Sequence, residues 1–363
     1  MDRSQSEASN VLALEAQSRA AARAAGLRYT DDRRPGLRRE RKRKEFHYLD
    51  QRGHRISDSH VLARLRALAI PPAWTDVWIC PHENGHLQAT GRDARGRKQY
   101  RYHRRWSETR DAAKHSRMCE FARRLDEVRS HCARVLRTRG LTREKLMAAL
   151  LRIVDLTAIR VGHEEYVRDN DSFGLTTLRT RHARVRGATV ELRFRGKSGI
   201  QRTITFRDPA LAKLVVACRK LGGPHLFQYR DRSGCVRGID ATQLNGYLHS
   251  LIGSEFSVKD FRTWSATVCV AVELSATQLA ASQRAAKKQL LQAIRTASGH
   301  LGNTPAICRK SYVHPLIMDA YLIGKTLHCK QITNALPGGV GYQAHERAVR
   351  RFLLRLIRES SRK

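Results

Sequence analysis

Along the first third of the chain, apolar and polar residues alternate in short runs separated by turn signals, the period of a half-buried strand. Phe46-His47-Tyr48-Leu49 leads into the turn Asp50-Gln51-Arg52-Gly53-His54. Val77-Trp78-Ile79-Cys80 and His86-Leu87-Gln88-Ala89-Thr90 flank Asn84-Gly85, a hairpin signature. Residues 91–96 read as a further turn, after which Arg97-Lys98-Gln99-Tyr100-Arg101-Tyr102-His103 alternates again. A short helix over 59–68 stops before Ile70-Pro71-Pro72.

From about Ser107 the period changes to 3.6, predicting helices over 118–137, 142–156, 210–221, 241–252, 261–274 and 276–297. In the second of these Leu146, Ala149, Leu150, Ile153 and Val154 share one face, and Thr142 is placed to cap it. Two alternating strands, 188–194 and 202–206, interrupt the helices and are joined by Arg195-Gly196-Lys197-Ser198-Gly199. At the ends, residues 7–25 predict a weakly anchored surface helix and 344–358 a basic one, following a loop over 336–341. The pattern is that of an α+β protein: a helical extension (1–26), a small antiparallel β-rich domain (27–110), a mainly α-helical domain with a β-hairpin (111–335) and a C-terminal helix (336–363).

Charge narrows the partner. Lys and Arg number 69 against 33 Asp and Glu, a formal net charge of +36 spread over the whole length, which suits a surface surrounding a polyanion such as nucleic acid. No run of about 18 apolar residues is present, and the start lacks the apolar core of a secretory signal, so a protein of the cytoplasm, without membrane contact, is expected. The eight cysteines contain no Cys-x-x-Cys pair and read as free thiols, with no metal site expected. Residues 33–44 carry eight cations, predicting an extended segment that contacts phosphates. Arg97, Lys98, Arg101, Arg104 and Arg105 interleave with Tyr100, Tyr102 and Trp106, supplying cations for phosphates and flat groups for sugar or base edges. Alternation predicts that one set of these faces inward and the other outward.

The candidate chemistry centres on Tyr312, flanked by Arg309, Lys310 and His314 and preceded by the turn Asn303-Thr304-Pro305. A phenol is a weak nucleophile at neutral pH, and cations help it where the electrophile is an anion such as a phosphodiester. Further donors stand in unusual contexts: Arg160 at the end of an apolar helix face, Lys197 at the hairpin tip, Lys259 and Arg262 one turn apart at a helix start, and Asn303. Gly196-Lys197-Ser198 lacks the first glycine and the following helix of a P-loop, so nucleotide binding is set aside.

Taken in order, this set resembles the type IB DNA topoisomerases, in particular their small viral and bacterial branch. The resemblance extends to Ile159-Arg160-Val161-Gly162, to Asn170-Asp171-Ser172-Phe173-Gly174-Leu175-Thr176-Thr177-Leu178 and to Gly302-Asn303-Thr304-Pro305-Ala306 before Ser311-Tyr312. In the N-terminal domain it rests on Ile70-Pro71-Pro72-Ala73-Trp74 and on residues 90–100, and in all it covers roughly residues 27 to 335.

It implies ATP-independent and metal-independent relaxation of supercoiled double-stranded DNA through a 3′-phosphotyrosyl link to Tyr312. Arg160 and Arg262 would hold the non-bridging oxygens, Lys197 would protonate the departing 5′-oxygen, and Lys259 would assist. It also implies DNA contacts from Arg92, Arg97, Lys98, Tyr100 and Tyr102, and a monomer closing around the duplex as a clamp. Asn303 stands where viral members have His; its amide can donate a hydrogen bond but not a charge. Two other readings are a tyrosine recombinase, which usually has His-x-x-Arg where this chain has Lys259-x-x-Arg262, and a non-catalytic architectural DNA-binding protein, which leaves the ordered set unexplained.

Overall fold

In the computed structural model, which describes residues 15–360 apart from 17, 43–44 and 328–340, the chain divides into two units between Lys114 and His115. The strand periodicity of the first third becomes one antiparallel sheet in the first unit. Its five strands, β1 (Leu37–Lys42), β2 (Glu45–Leu49), β3 (Thr75–Ile79), β4 (Leu87–Arg92) and β5 (Lys98–Tyr102), run in the order β2-β1-β3-β4-β5. Leu37, Leu65, Ile70, Val77, Ile79 and Ala89 form the core beneath it. Leu65 comes from the helix Ser59–Ala67, which starts where the Asp58 carboxylate accepts from the His60 and Val61 amides.

The cation-rich run 33–44 is the largest departure from expectation. Part of it is β1, an interior strand of the sheet, so alternate side chains point inward. Leu37 and Arg39 are buried, and the Arg39 guanidinium donates to the carbonyls of Ile70 (2.8 Å), Pro71 (2.9 Å) and Trp74 (2.9 Å). Of its cations, Arg38 and Lys42 of the outward phase, and Arg41 near the strand end, are left exposed for an anion, and Arg43 and Lys44 lie outside the described residues. The helix predicted over 7–25 is present at residues 15–16 and 18–24, where Ala22 packs with Leu27 and Trp106; its first part, to residue 14, lies outside the description.

In the second unit a three-stranded sheet, β6 (Ala183–Arg186), β7 (Thr189–Arg195) and β8 (Gln201–Arg207), packs among helices. β6 and a small hairpin of β9 (Gln228–Arg230) with β10 (Val236–Gly238) are too short to show a period and were not expected. The helix predicted from 276 begins only at Gln283, where the Ser282 hydroxyl caps the Ala285 amide, and runs to Leu301. The last helix, Tyr342–Ser360, turns Tyr342, Glu346, Val349, Phe352, Leu353 and Leu356 into the same core; most of the loop expected before it lies outside the described residues. Among the described residues the seven cysteines are unpaired, and no helix is long and apolar enough to cross a membrane.

The helix Val258–Ala276 runs through the middle of this unit, with Phe261 to Val272 buried without interruption. A helix apolar all round belongs inside a core. It is tied to its neighbours by a buried ionic network. Arg129 donates to Asp155 (2.7 and 3.0 Å) and Glu346 (2.7 and 3.0 Å), and Glu346 accepts from the Trp264 indole at 2.8 Å. Removing one member of such a buried pair costs about 3–5 kcal/mol.

Beyond the helix Arg143–Thr157, Ala158 takes a left-handed conformation and the chain enters a loop carrying Arg160. Leu175 and Thr176 donate to the carbonyls of Arg160 and Val161, both at 2.8 Å, which brings Gly162 against Gly174. A Cβ on Gly174 would lie 2.6 Å from the Val161 oxygen and from the nitrogen and Cα of Gly162, so only backbone could yield. Gly174→Ala is therefore expected to cost on the order of 1–3 kcal/mol, seen as a lower Tm. An unchanged Tm would show that this crossing does not hold the loop.

Candidate active site

The site is built on the end of one helix. Gln283–Leu301 stops at Gly302, whose left-handed conformation (φ 64°) turns the chain so that the Asn303 amide reaches back to the Ser298 carbonyl at 3.0 Å. Thr304 then caps the next helix, Pro305–Ser311, with Pro305 in its first turn, and that helix ends at Tyr312. The Asn303-Thr304-Pro305 signal is thus a stop followed by a start.

A helix end exposes carbonyls without partners, and here three guanidinium groups from distant segments take them. Arg202 donates to Gly299 (2.9 Å) and His300 (2.6 Å), Arg262 to Leu301 (2.9 Å), and Arg160 to Gly302 (3.1 Å). Arg160 also donates to the Asn303 side-chain oxygen and Arg262 to the Ala158 carbonyl. Among the described residues no carboxylate comes within ion-pairing distance of any of the three, in contrast to Arg129. Burial, reinforced by Arg160, pushes the Arg262 guanidinium down to about 10; burial also lowers Arg160, and Arg202 is lowered by burial and then by Arg160. All three remain cationic at neutral pH.

Tyr312 lies against this cluster. Burial acts to raise its phenol, but the Arg262 guanidinium, both as a charge and through a hydrogen bond, with Lys259 and Arg160, outweighs burial and brings it below 10.0. The Arg262 guanidinium sits 5.3 Å from the ring centre. The main chain is held as firmly, because the Thr267 hydroxyl lies 3.2 Å from the Tyr312 carbonyl and accepts from the His314 amide at 3.1 Å. Thr267 and Arg262 belong to the same buried helix, so the nucleophile candidate and its cation share one support.

The structure therefore brings together Arg160, Arg262, Asn303 and Tyr312, with Lys259 exposed near enough to act on the phenol. The Asn303 side-chain nitrogen is buried and has no hydrogen-bond partner among the described residues. Lys197 stands exposed at the hairpin tip, in the turn Lys197–Gly199, and its ammonium has no partner among the described residues. The residues flanking Tyr312 divide. Arg309 and Lys310 are exposed, whereas His314 is buried, caps Pro315–Leu322 by accepting from the Leu316 amide at 3.2 Å, and is driven down to about 4 chiefly by burial, so it adds no charge.

Arg202 escaped the reading of the sequence, although a signal existed: it shares the inward phase of β8 with Ile204 and Phe206, and a cation in an apolar phase needs a partner.

On the first unit, Tyr100 and Tyr102 both point outward from the edge strand β5, stacked 6.0 Å apart and 48% and 42% exposed, with Lys98 over the Tyr100 ring. The aromatic turned inward is Trp106. Of the other candidates, Lys98 pairs with Asp32 (2.5 Å), Arg97 with Asp93 (2.6 Å) and Arg92 with Asp76 (3.5 Å) and the Gly96 carbonyl.

Comparison with known proteins then decides the family. The model for the eukaryotic DNA topoisomerase I catalytic core matches residues 103–333, and that for the bacterial DNA topoisomerase IB N-terminal domain matches residues 45–93. The chain belongs to the type IB DNA topoisomerases. DNA topoisomerase 1B of Acanthamoeba polyphaga mimivirus is 30% identical over 293 residues, 79% of this chain and 87% of the relative. DNA topoisomerase 1B of vaccinia virus (strain Copenhagen) is 19% identical over 268 residues, 70% and 80% of the two chains. As a type IB topoisomerase it is an enzyme that acts on DNA.

The depressed phenol can be read directly. In a spectrophotometric titration of tyrosinate, the difference between the native protein and Tyr312→Phe should show one group ionising below 10.0, the ordinary tyrosine value. A difference curve centred at or above that value would mean the arginines do not reach the phenol.

Proposed function

We propose that this type IB topoisomerase cleaves one DNA strand with Tyr312 and reseals it, and that Arg160, Arg262, Lys197, Lys259 and Asn303 carry the chemistry. The carrying observation is the set of cations, Arg262 buried and Arg160 half-buried, held by carbonyl dipoles instead of carboxylates beside a buried phenol. Cations left uncompensated next to a nucleophile suit an electrophile that brings its own negative charge.

In the forward step the Tyr312 oxygen bonds to phosphorus as the bond from phosphorus to the 5′-oxygen breaks. The phenol proton leaves to solvent and the Lys197 ammonium protonates the departing 5′-oxygen. Arg160 and Arg262 hold the non-bridging oxygens, each planar fork retaining donors beyond those given to the helix end. Lys259 assists from the first turn of the Arg262 helix. The free Asn303 NH₂ donates to a phosphate oxygen while its carbonyl holds Arg160. Because the phosphotyrosyl ester conserves the energy of the broken bond, the reverse step reseals the strand without ATP, and strand rotation between the two steps relaxes supercoils of either sign.

The remaining parts of the proposal concern the DNA. One chain suffices, its two units gripping one duplex as a clamp, with the outward Tyr100, Tyr102 and Lys98 as contacts of the first unit. Its place is the cytoplasm, on the chromosome.

Purified protein should relax both positively and negatively supercoiled plasmid in EDTA without ATP, and Tyr312→Phe should bind DNA but relax neither. If both proteins bind and neither relaxes, the catalytic reading falls. Asn303→Ala should slow single-turnover cleavage by up to about 10²-fold, and Asn303→His should retain the native rate or exceed it. An Ala variant equal to the native protein would reduce Asn303 to a turn residue.

A further inference from the structure

The mechanism uses Arg160 and Arg262 but leaves the third arginine at the helix end without a task. Arg202 lies on β8, opposite Phe194 of β7 and five residues beyond Lys197. Its aliphatic stem passes beneath the hairpin tip, since a Cβ on Gly196 would lie 3.1 Å from its Cγ. Its guanidinium spans the carbonyls of Gly299 and His300 and leaves no room above Gly302, where a Cβ would lie 2.5 Å from its Nη1. These two carbonyls are its hydrogen-bond partners among the described residues, and Arg160 and Asn303 engage the next turn of the same chain.

We infer that Arg202 is the positioning residue for Lys197: it pins the hairpin to the turn that carries Asn303 and so sets the distance between the general acid and the phosphate. The inference rests on the reading of Lys197 as the acid. Two properties fit Arg202 to this task. Its fork is occupied by two carbonyls of the helix, and it belongs to the strand leaving Lys197, in a β7–β8 register unbroken from Arg195↔Gln201 to Thr189↔Arg207. A hairpin fixed at this end moves its tip little, whereas the loss of one anchor lets Lys197 drift, and a misplacement of about 1 Å costs about 10²-fold in rate. Lysine at this position has one ammonium for two carbonyls and holds less firmly.

The test uses single-turnover cleavage of a duplex whose scissile phosphate carries either oxygen or sulfur at the 5′-bridging position. A thiolate departs without a proton, so a defect in acid catalysis disappears with sulfur while a defect in phosphate binding or folding remains. Lys197→Ala should be slowed about 10²–10⁴-fold with oxygen and react at close to the native rate with sulfur. Arg202→Ala should follow the same pattern with a loss of about 10–10²-fold, and Arg202→Lys should fall between it and the native enzyme. Arg160→Ala should be slow on both substrates.

Equal slowing of Arg202→Ala with oxygen and sulfur, or no slowing with either, would overturn the assignment while Lys197 kept its role. Failure of sulfur to restore Lys197→Ala would instead remove the acid itself and this inference with it. Rates measured at saturating enzyme do not depend on the fraction of protein that folds, so Arg202→Ala stays informative even if its Tm drops.

Discussion

The negative end of one helix is the constraint on which the site depends. At residues 299–302 four successive carbonyls receive guanidinium hydrogens from Arg202, Arg262 and Arg160. A helix C-terminus carries a partial negative charge, enough to orient a cation but too little to neutralise it. Elsewhere in the same unit Arg129 shows the other solution, two carboxylates that satisfy it fully and leave nothing for a ligand. Arginines held by dipoles stay positive and wait in place; arginines held by carboxylates only brace the fold. Arg39 of the first unit, alone on three carbonyls and over the Phe46 ring, shows that the device also serves structure. What marks the proposed catalytic set is convergence beside a phenol.

Rigidity beneath the cluster follows from burial. Arg262 stands near the start of the helix Val258–Ala276, and the same helix carries Thr267, which fixes the main chain at Tyr312, and Trp264, which donates to Glu346 of the last helix. Through Arg129 that network reaches Asp155, five residues before Arg160. The two arginines proposed for catalysis are thus braced from one buried ionic centre, although the chain between them includes a whole sheet. Tyr312 feels the balance of two opposed effects: burial resists ionisation of the phenol, and nearby cations favour it. The cations win, as a reaction at an anionic phosphate requires.

Much of this was legible in the chain itself. The change of period near residue 107, the turn at Asn84-Gly85, the cap at Thr142, the hairpin presenting Lys197 and the turn at Asn303-Thr304-Pro305 are local properties, set by side-chain spacing and by the conformations that glycine, asparagine and proline allow. Where local signals were short or mixed, the reading went astray: β6, β9 and β10 have three or four residues each, and β1 hid inside a charge run because a strand interior to a sheet can turn its cations outward.

The sequence by itself determined the two kinds of architecture and the polyanionic partner, and its ordered set of Arg160, Lys197, Lys259, Arg262, Asn303 and Tyr312 supplied the candidates for the chemistry. Only the tertiary structure decided which groups meet. Arg160 and Asn303 are 143 positions apart and Arg202 and Gly299 are 97 apart, and no periodicity links such pairs. Their contact depends on how helices and a sheet pack around one core, which brings a helix end lacking hydrogen-bond donors to three arginines lacking anions. That shared shortage, invisible in any single segment, is what assembles the site.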